Sequence, residues 1–430
     1  MKRFLQIILV TVALAIMAAP LAAQEEDAGP TTLELWSPAQ GAEAELLRSQ
    51  IEAYNDSQQD VVVEVYFPDD PYLEAVDAAS SLGETPDILM VPSSLVAYYA
   101  WQGAIISLDG YVGDEMRNDF LATTLSQGAY EGELYGLAAV ESCLVMFANN
   151  MFMHQTLARV PEGAEDPWTN EEFHEVLMRL SRLHALDAAM DVHADQFTST
   201  EFMNFVFHPM FAGQGGALLN PETSLAADAF NSTQSLAAFG LIADWFNAGY
   251  ALAEQDEDLF IQEKAGLSFT GEWAWEPYSR ALGDKLLVLP MPILGETPAT
   301  TSSSWSWAVS SASDNPDQAW DCLAFLLGST RILQTSTVTG AVPARKSAAE
   351  HSAVYGENGP LRILVVQLDS IGVARPDSPA YGLVSRIFAE TLLSLAGGGD
   401  VVQTVGDATQ HLDSELMRLG FAPLPEIVTE

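Results

Sequence analysis

Thr31-Thr32-Leu33-Glu34-Leu35-Trp36, followed by Ser37-Pro38-Ala39-Gln40-Gly41 and later by Val61-Val62-Val63-Glu64-Val65-Tyr66-Phe67, reads as strand, loop, helix and strand. Leu33 and Leu35 alternate onto one face of a short strand, and Pro38 and Gly41 interrupt it. From about Ala42, Leu47, Ile51 and Tyr54 recur at i, i+4 and i+7, the spacing of a buried helical face. The next strand is rich in β-branched residues. A helix between two strands predicts a parallel pair with a right-handed crossover. The alternation continues with a helix over Tyr72 to Leu82 and, after Pro86-Asp87, the strand Ile88-Leu89-Met90-Val91. The expected fold class is therefore α/β, doubly wound. In such sheets ligands bind beyond the carboxyl ends of the strands. Trp36 and Gln40 follow the first strand and Ser93 and Ser94 the third, so these residues face one expected cleft. Asp87 enters its strand from the opposite end and is read as structural.

Working outward, Ser94 to Leu108 predicts a helix closed by Gly103, and Tyr130-Glu131-Gly132-Glu133-Leu134-Tyr135-Gly136 a hairpin. Cys143 to Phe147 is an apolar strand. Thr169, with Glu172 three residues on, predicts a capping box opening a helix through Leu186. Further helices are expected over Leu236–Phe246, Pro316–Leu327, Tyr381–Leu395 and Val401–Leu419, and strands over Leu286–Met291 and Ser304–Ser310. Leu267-Ser268-Phe269-Thr270 is a strand, after which Gly271 is read as permitting a turn into Glu272-Trp273-Ala274-Trp275. Trp273 and Trp275 are thus either stacking platforms at a strand end or packing between helix and sheet. Glu272 alternates away from Trp273 and is expected to be solvated.

The chain has 430 residues, room for two cores. A hydrophobic content of 48% with 9% aromatics excludes a disordered chain. Met1-Lys2-Arg3, the apolar run Phe4 to Met17 and Pro20-Leu21-Ala22-Ala23 form a secretory signal over residues 1–23, with cleavage expected near Ala23 and no lipid-anchoring cysteine beyond it. Net charge is −42, which makes nucleic acid and anionic membrane surfaces poor partners. The acids are spread along the chain and read as a solvated surface. Cys143 and Cys322 sit in apolar patterns and read as buried thiols. His184 and His193 with Asp187, Asp191 and Asp195 lack a repeating ligand spacing, so no metal site is expected there and the segment is read as solvated.

A set of short segments, in order along the chain, resembles the family 1 extracellular solute-binding proteins of ABC importers, the maltose-binding-protein-like group. They are Leu33-Glu34-Leu35-Trp36, Thr85-Pro86-Asp87-Ile88, Trp101-Gln102-Gly103-Ala104-Ile105-Ile106-Ser107-Leu108-Asp109 and Gly132-Glu133-Leu134-Tyr135-Gly136-Leu137. Trp168-Thr169-Asn170-Glu171-Glu172-Phe173, Gly271-Glu272-Trp273, Asn315-Pro316-Asp317-Gln318-Ala319-Trp320 and Val342-Pro343-Ala344-Arg345 continue the series. The resemblance implies a periplasmic-binding-protein type II-like fold: two α/β lobes, 31–138 plus 300–340 and 139–299 plus 341–430, hinged around a ligand cleft. It implies a periplasmic, non-enzymatic monomer that takes a mono- or oligosaccharide and delivers it to an ABC permease in the inner membrane, without cofactor or metal. Where relatives carry proline, this chain has Ala138, and the tyrosine of the strand ending Phe147-Ala148-Asn149-Asn150 is missing. With Cys143 and Cys322 in opposite lobes, a disulfide would impede closure, so free thiols are expected.

A sugar offers apolar C–H faces and hydroxyl edges, and so calls for flat aromatic surfaces with carboxylates, amides and arginine at their rims. The aromatic candidates are Trp36, Trp273, Trp275, Trp305, Trp307 and Tyr381; Trp305 and Trp307 share a strand face that is either cleft or core. The polar candidates are Gln40, Glu43, Ser93, Ser94, Glu141 and Arg345, with Glu141 alternatively in a hinge ion pair and Arg345 alternatively a surface residue at a helix start. The competing reading is a secreted carbohydrate-active hydrolase or lyase. It requires two carboxyl groups roughly 5 to 9.5 Å apart across one bond, and neither GxSxG nor HExxH is present. A surface sugar-binding protein with no transport partner is the other alternative.

Overall fold

The computed structural model describes residues 29–68, 71–255 and 257–422, so the expected leader at 1–23 lies outside the described residues. Two sheets organise the chain. In the first, the strand order is Val61–Tyr66, Thr31–Trp36, Ile88–Pro92, Trp305–Val309 and Leu137–Ala138. Thr31–Trp36 runs parallel to Val61–Tyr66, with Leu33 opposite Val63 and Leu35 opposite Val65, and parallel to Ile88–Pro92. The helix Gly41–Ser57 lies between the first two strands in sequence and buries Leu47, Ile51 and Tyr54. Its Asn55 side chain both donates to the carbonyl and accepts from the amide of Val63, which locks the crossover in register. Asp87 accepts hydrogen bonds from the Glu34 amide and the Ser313 hydroxyl and so joins three segments below the sheet, the structural role expected of it.

The second sheet is built on Val140–Asn149, flanked by Thr300–Ser303 and Ala265–Gly271, with Gly372–Val373 and Ala188–Asp191 at its edges; Leu286–Leu289 and Val342–Pro343 also pair with the central strand. This strand reads as a continuous apolar run because both of its faces are covered. Leu144, Met146 and Ala148 pack with Trp168, Phe173, Phe207 and Phe269, while the alternate residues Cys143, Val145 and Phe147 pack with Phe260, Tyr278 and Leu364. Cys143 and Cys322 are buried and unpaired.

The chain passes between the sheets at Ala139, at Ser304 and at Gly340–Ala341. Thr300–Ser303, expected to begin the return to the first lobe, instead pairs in the second sheet, with Ser302 opposite Cys143 and Ser303 opposite Ser142. The sheet switch is therefore a single residue, Ser304, before Trp305–Val309. Other boundaries also differ from expectation. The helix opened by the Thr169 capping box ends at Leu180 rather than Leu186. The segment after Ser93 splits into a short 3-10 turn and the helix Val96–Trp101, and Gly103 follows at φ +68°.

Candidate functional site

The sheet switches leave a cavity of about 280 Å³ between the lobes. Its first wall is the inward face of Gly41–Ser57, with Glu43, Leu46, Leu47 and Gln50, together with Met90, Trp305 and Trp307. Thr335 and Thr339 add one turn of the helix Ser329–Thr339. The opposite wall is Ser142, Glu272 and Trp273, and the floor is made by the crossing residues Ala139, Val140, Ser303, Ser304 and Ala341. The volume lies near the lower end of the roughly 300–1,000 Å³ usual for small-molecule sites.

Trp273 is the most exposed of the three lining indoles, at 45%. Its ring is backed by Phe205, with centroids 5.2 Å apart and planes at 37°. Gly271 has an extended backbone, φ −87° and ψ 170°, so it is not there to make a turn. A Cβ on Gly271 would stand 1.9 Å from Cζ3 of Trp273; the glycine is there because the indole lies across it. Trp305 is held edge-on by Tyr72, ring centroids 5.7 Å apart, while Trp307 is nearly buried. Alternation sets the serines apart: Ser306, like Ser304, meets the Ser93 hydroxyl.

Among the described residues, every ionisable side chain lining the cavity is a carboxyl group. Burial raises that of Glu43 above the usual carboxylate range. Glu272, expected to be solvated, is instead only 4% exposed and faces the cavity. Burial pushes its carboxyl up to about 7, even though Oε2 accepts the Cys143 amide at 2.7 Å. Glu141, in the strand paired beside it, is fully buried outside the cavity lining, and its carboxyl is likewise pushed up to about 7. The hydroxyls of Thr124, Ser302 and Ser304 and the Arg375 guanidinium come near enough to favour its charged form, yet among the described residues none meets either oxygen in full hydrogen-bond geometry.

Of the residues named from sequence, the cavity brings together Glu43, Trp273, Trp305 and Trp307. The others lie elsewhere. Trp36 packs beside Tyr66 and donates its indole N–H to Glu34, because the strand ends there with its ring turned toward the neighbouring strand. Gln40 is exposed just before the helix Gly41–Ser57. Ser93 and Ser94 line a separate small hollow with Gln127, Arg375 and Asp377. Trp275 begins a helix that turns it into the apolar cluster around Tyr278 and Tyr355. Arg345 is occupied by Asp119, at 2.6 Å, and by the Leu327 carbonyl. Tyr381 is buried and donates to Glu201, while Arg375 donates to its hydroxyl.

Besides Ser142, Ser303 and Ser304 at the crossings, sequence reasoning missed Gln50, Thr335, Thr339 and Glu272. Gln50, Thr335 and Thr339 carry a weak signal, polar residues on the inward face of a helix. Glu272 carries none.

Asp191 and His193, expected in a solvated segment, are buried. The Asp191 carboxylate accepts from the amides of His193, Leu259 and Phe260, and His193 Nε2 lies 2.9 Å from the Ser268 hydroxyl. Ser268 is itself fully buried, so this serine, histidine and aspartate form a brace between loops rather than a surface open to a substrate.

The sequence profile of the bacterial extracellular solute-binding proteins matches residues 49–359. A protein of Brucella abortus strain 2308 named as a binding protein is 23% identical over 364 residues, 82% of this chain and 84% of its own. The maltotriose-binding protein of Pyrococcus abyssi is 25% identical over 155 residues, 36% of this chain and 32% of its own. Among solved structures, the cyclic α-maltosyl-1,6-maltose binding protein from Arthrobacter globiformis superposes with a TM-score of 0.77 at 23% identity, covering 91% of this chain and 100% of that one. The sugar-binding protein MalE from Xanthomonas citri gives 0.77 at 15% identity, covering 91% and 98%. At these identities the likeness is one of fold.

Proposed function

The chain belongs to the bacterial extracellular solute-binding proteins, and from that premise we propose that it binds a mono- or oligosaccharide reversibly between its lobes and hands it to an ABC permease of the inner membrane. The observation that carries the sugar reading is the meeting of Trp273 from one lobe with Trp305 and Trp307 from the other around a cavity rimmed by hydroxyl and carboxyl groups. Indoles match the C–H faces of a pyranose, and Ser142, Ser303, Ser304, Thr335 and Thr339 supply groups that both donate and accept at its edges. The maltodextrin ligands in the names of its relatives agree with this chemistry. Contacts from both walls favour the closed state. Driving a hinge from 1:99 to 99:1 closed takes about 5.5 kcal/mol of differential affinity, which a ligand touching only one wall could not supply.

The protein then acts in the periplasm and leaves its ligand unchanged. Tryptophan fluorescence titrated with maltose, maltotriose and a wider sugar panel should saturate, and chromatography should recover the sugar intact. Conversion of the sugar would favour the hydrolase instead. Trp273→Ala should weaken binding by about tenfold or more, the equivalent of one stacked ring; unchanged affinity would remove Trp273 from the site.

A further inference from the structure

Glu272 occupies the strand end between Gly271 and Trp273, nine-tenths and more buried, and lines the cavity. Glu43 enters the same cavity from the other lobe, and fully buried Glu141 stands in the neighbouring strand close enough for the two charges to oppose each other. Among the described residues, no lysine, arginine or histidine lines the cavity. The groups facing Glu272 are the Cys143 amide and thiol, the Ser142 hydroxyl, Glu141 and the Tyr355 phenol, while Arg375, which acts on Glu141, is already held by Glu201. A ligand carrying a negative charge would meet acidic groups with no counter-charge in a poorly solvated space, and like-charge juxtaposition of this kind is a means of rejecting ligands.

We propose that Glu272 is a specificity-determining residue of the cleft: together with Glu43 and Glu141 it admits hydroxyl-rich ligands that are neutral or positively charged and excludes those bearing carboxylate, sulfate or phosphate. The proposal rests on the reading of this cavity as the sugar site.

Because burial places the Glu272 carboxyl near 7, it is mostly protonated at pH 5 and mostly ionised at pH 8. Exclusion of an anion is therefore strongest at high pH and relaxes on acidification. The test is calorimetric titration at fixed ionic strength with maltotriose, with maltotriose oxidised at one hydroxymethyl group to a carboxylate, and with its 6-amino-6-deoxy derivative. At pH 8 the carboxylate should bind about tenfold or more weakly than maltotriose, the amine at least as well as maltotriose, and the carboxylate's deficit should shrink toward pH 5. Glu272→Gln should narrow the deficit at pH 8 and reduce its pH dependence, and Glu43→Gln should also narrow it at pH 8. Equal affinity of maltotriose and its carboxylate, or a deficit that stays constant from pH 5 to 8 in the unaltered protein, overturns the proposal while leaving a sugar site in place. If none of the three ligands binds, the sugar-site reading falls and the proposal with it.

Discussion

Glu141 has both carboxyl oxygens buried and, among the described residues, in full hydrogen-bond geometry with none, just after the chain crosses from one lobe to the other. Removing a carboxylate from water disfavours its charged form, and the neighbouring hydroxyls and Arg375 offset this only in part. The group therefore holds its proton in the folded protein up to about pH 7, whereas in the unfolded chain it ionises near 4.5. Its contribution to stability is fully present below pH 4.5 and is lost as pH rises through 7. Glu141→Gln should accordingly raise stability at pH 8 by roughly 1–3 kcal/mol and leave it nearly unchanged at pH 4, read from urea midpoints. Equal destabilisation at both pH values would mean that the carboxylate is satisfied in a way its surroundings do not reveal. Its neighbour Glu272 shows a residue changing its role from expectation. Period-2 alternation put it in solvent, but the backbone leaves the strand at Gly271, and the 3-10 turn Glu272–Ala274 turns the carboxyl inward.

Helix ends were legible where a side chain closes them. Thr169 accepts the Glu172 amide while the Glu172 carboxylate accepts the Thr169 amide at 2.9 Å, the capping box its spacing predicts. Arg159 also holds the Glu172 carboxylate, and together with the Thr169 amide it keeps that group at about 2. Thr169→Ala should cost about 1 kcal/mol in chemical denaturation, without altering ligand affinity because the cap lies outside the cavity; no loss would mean that the box contributes nothing to the fold. The same helix stops at Leu180, whose side chain packs so closely over Gly266 that a Cβ there would stand 2.5 Å from its Cδ2. That close approach requires glycine at 266, a constraint local sequence does not show. Among the helices with no predicted counterpart, two show why. Thr200–Gly213 is buried nearly all round and carries Pro209, so it lacks the apolar stripe by which a half-exposed helix is recognised. Ser329–Thr339 is mostly polar and buries only Ile332 and Ser336.

Across the whole molecule, the lobes also touch away from the cavity. Trp101, at the end of the helix Val96–Trp101 in the first lobe, meets Phe421 beyond the last helix of the second, with ring centroids 5.3 Å apart. The Glu131 amide at the tip of the first lobe's hairpin donates to Asp377 of the second. These contacts exist only while the lobes are together, so they add to the closed state without touching ligand. An aromatic pair contributes about 0.5–1.5 kcal/mol, and Trp101→Ala should weaken sugar binding by about two- to tenfold. Small-angle scattering should report a more open average shape in the absence of ligand. Affinity and scattering both unchanged would mean that the rings meet without biasing closure.

The sequence by itself determined the order of strands and helices from Thr31 to Val91, the apolar strand Cys143–Phe147 and the family to which the chain belongs. Periodicity and capping act over a few residues and are written locally. Only the tertiary structure decided which polar groups share the cleft. Glu43, Trp273 and Trp305 meet across lobes assembled from segments far apart in the chain, while Trp36, Arg345 and Tyr381 stand outside that lining with their polar groups bonded to Glu34, Asp119 and Glu201. A side chain's partner is fixed by what the fold brings beside it, and no spacing along the chain encodes that distance.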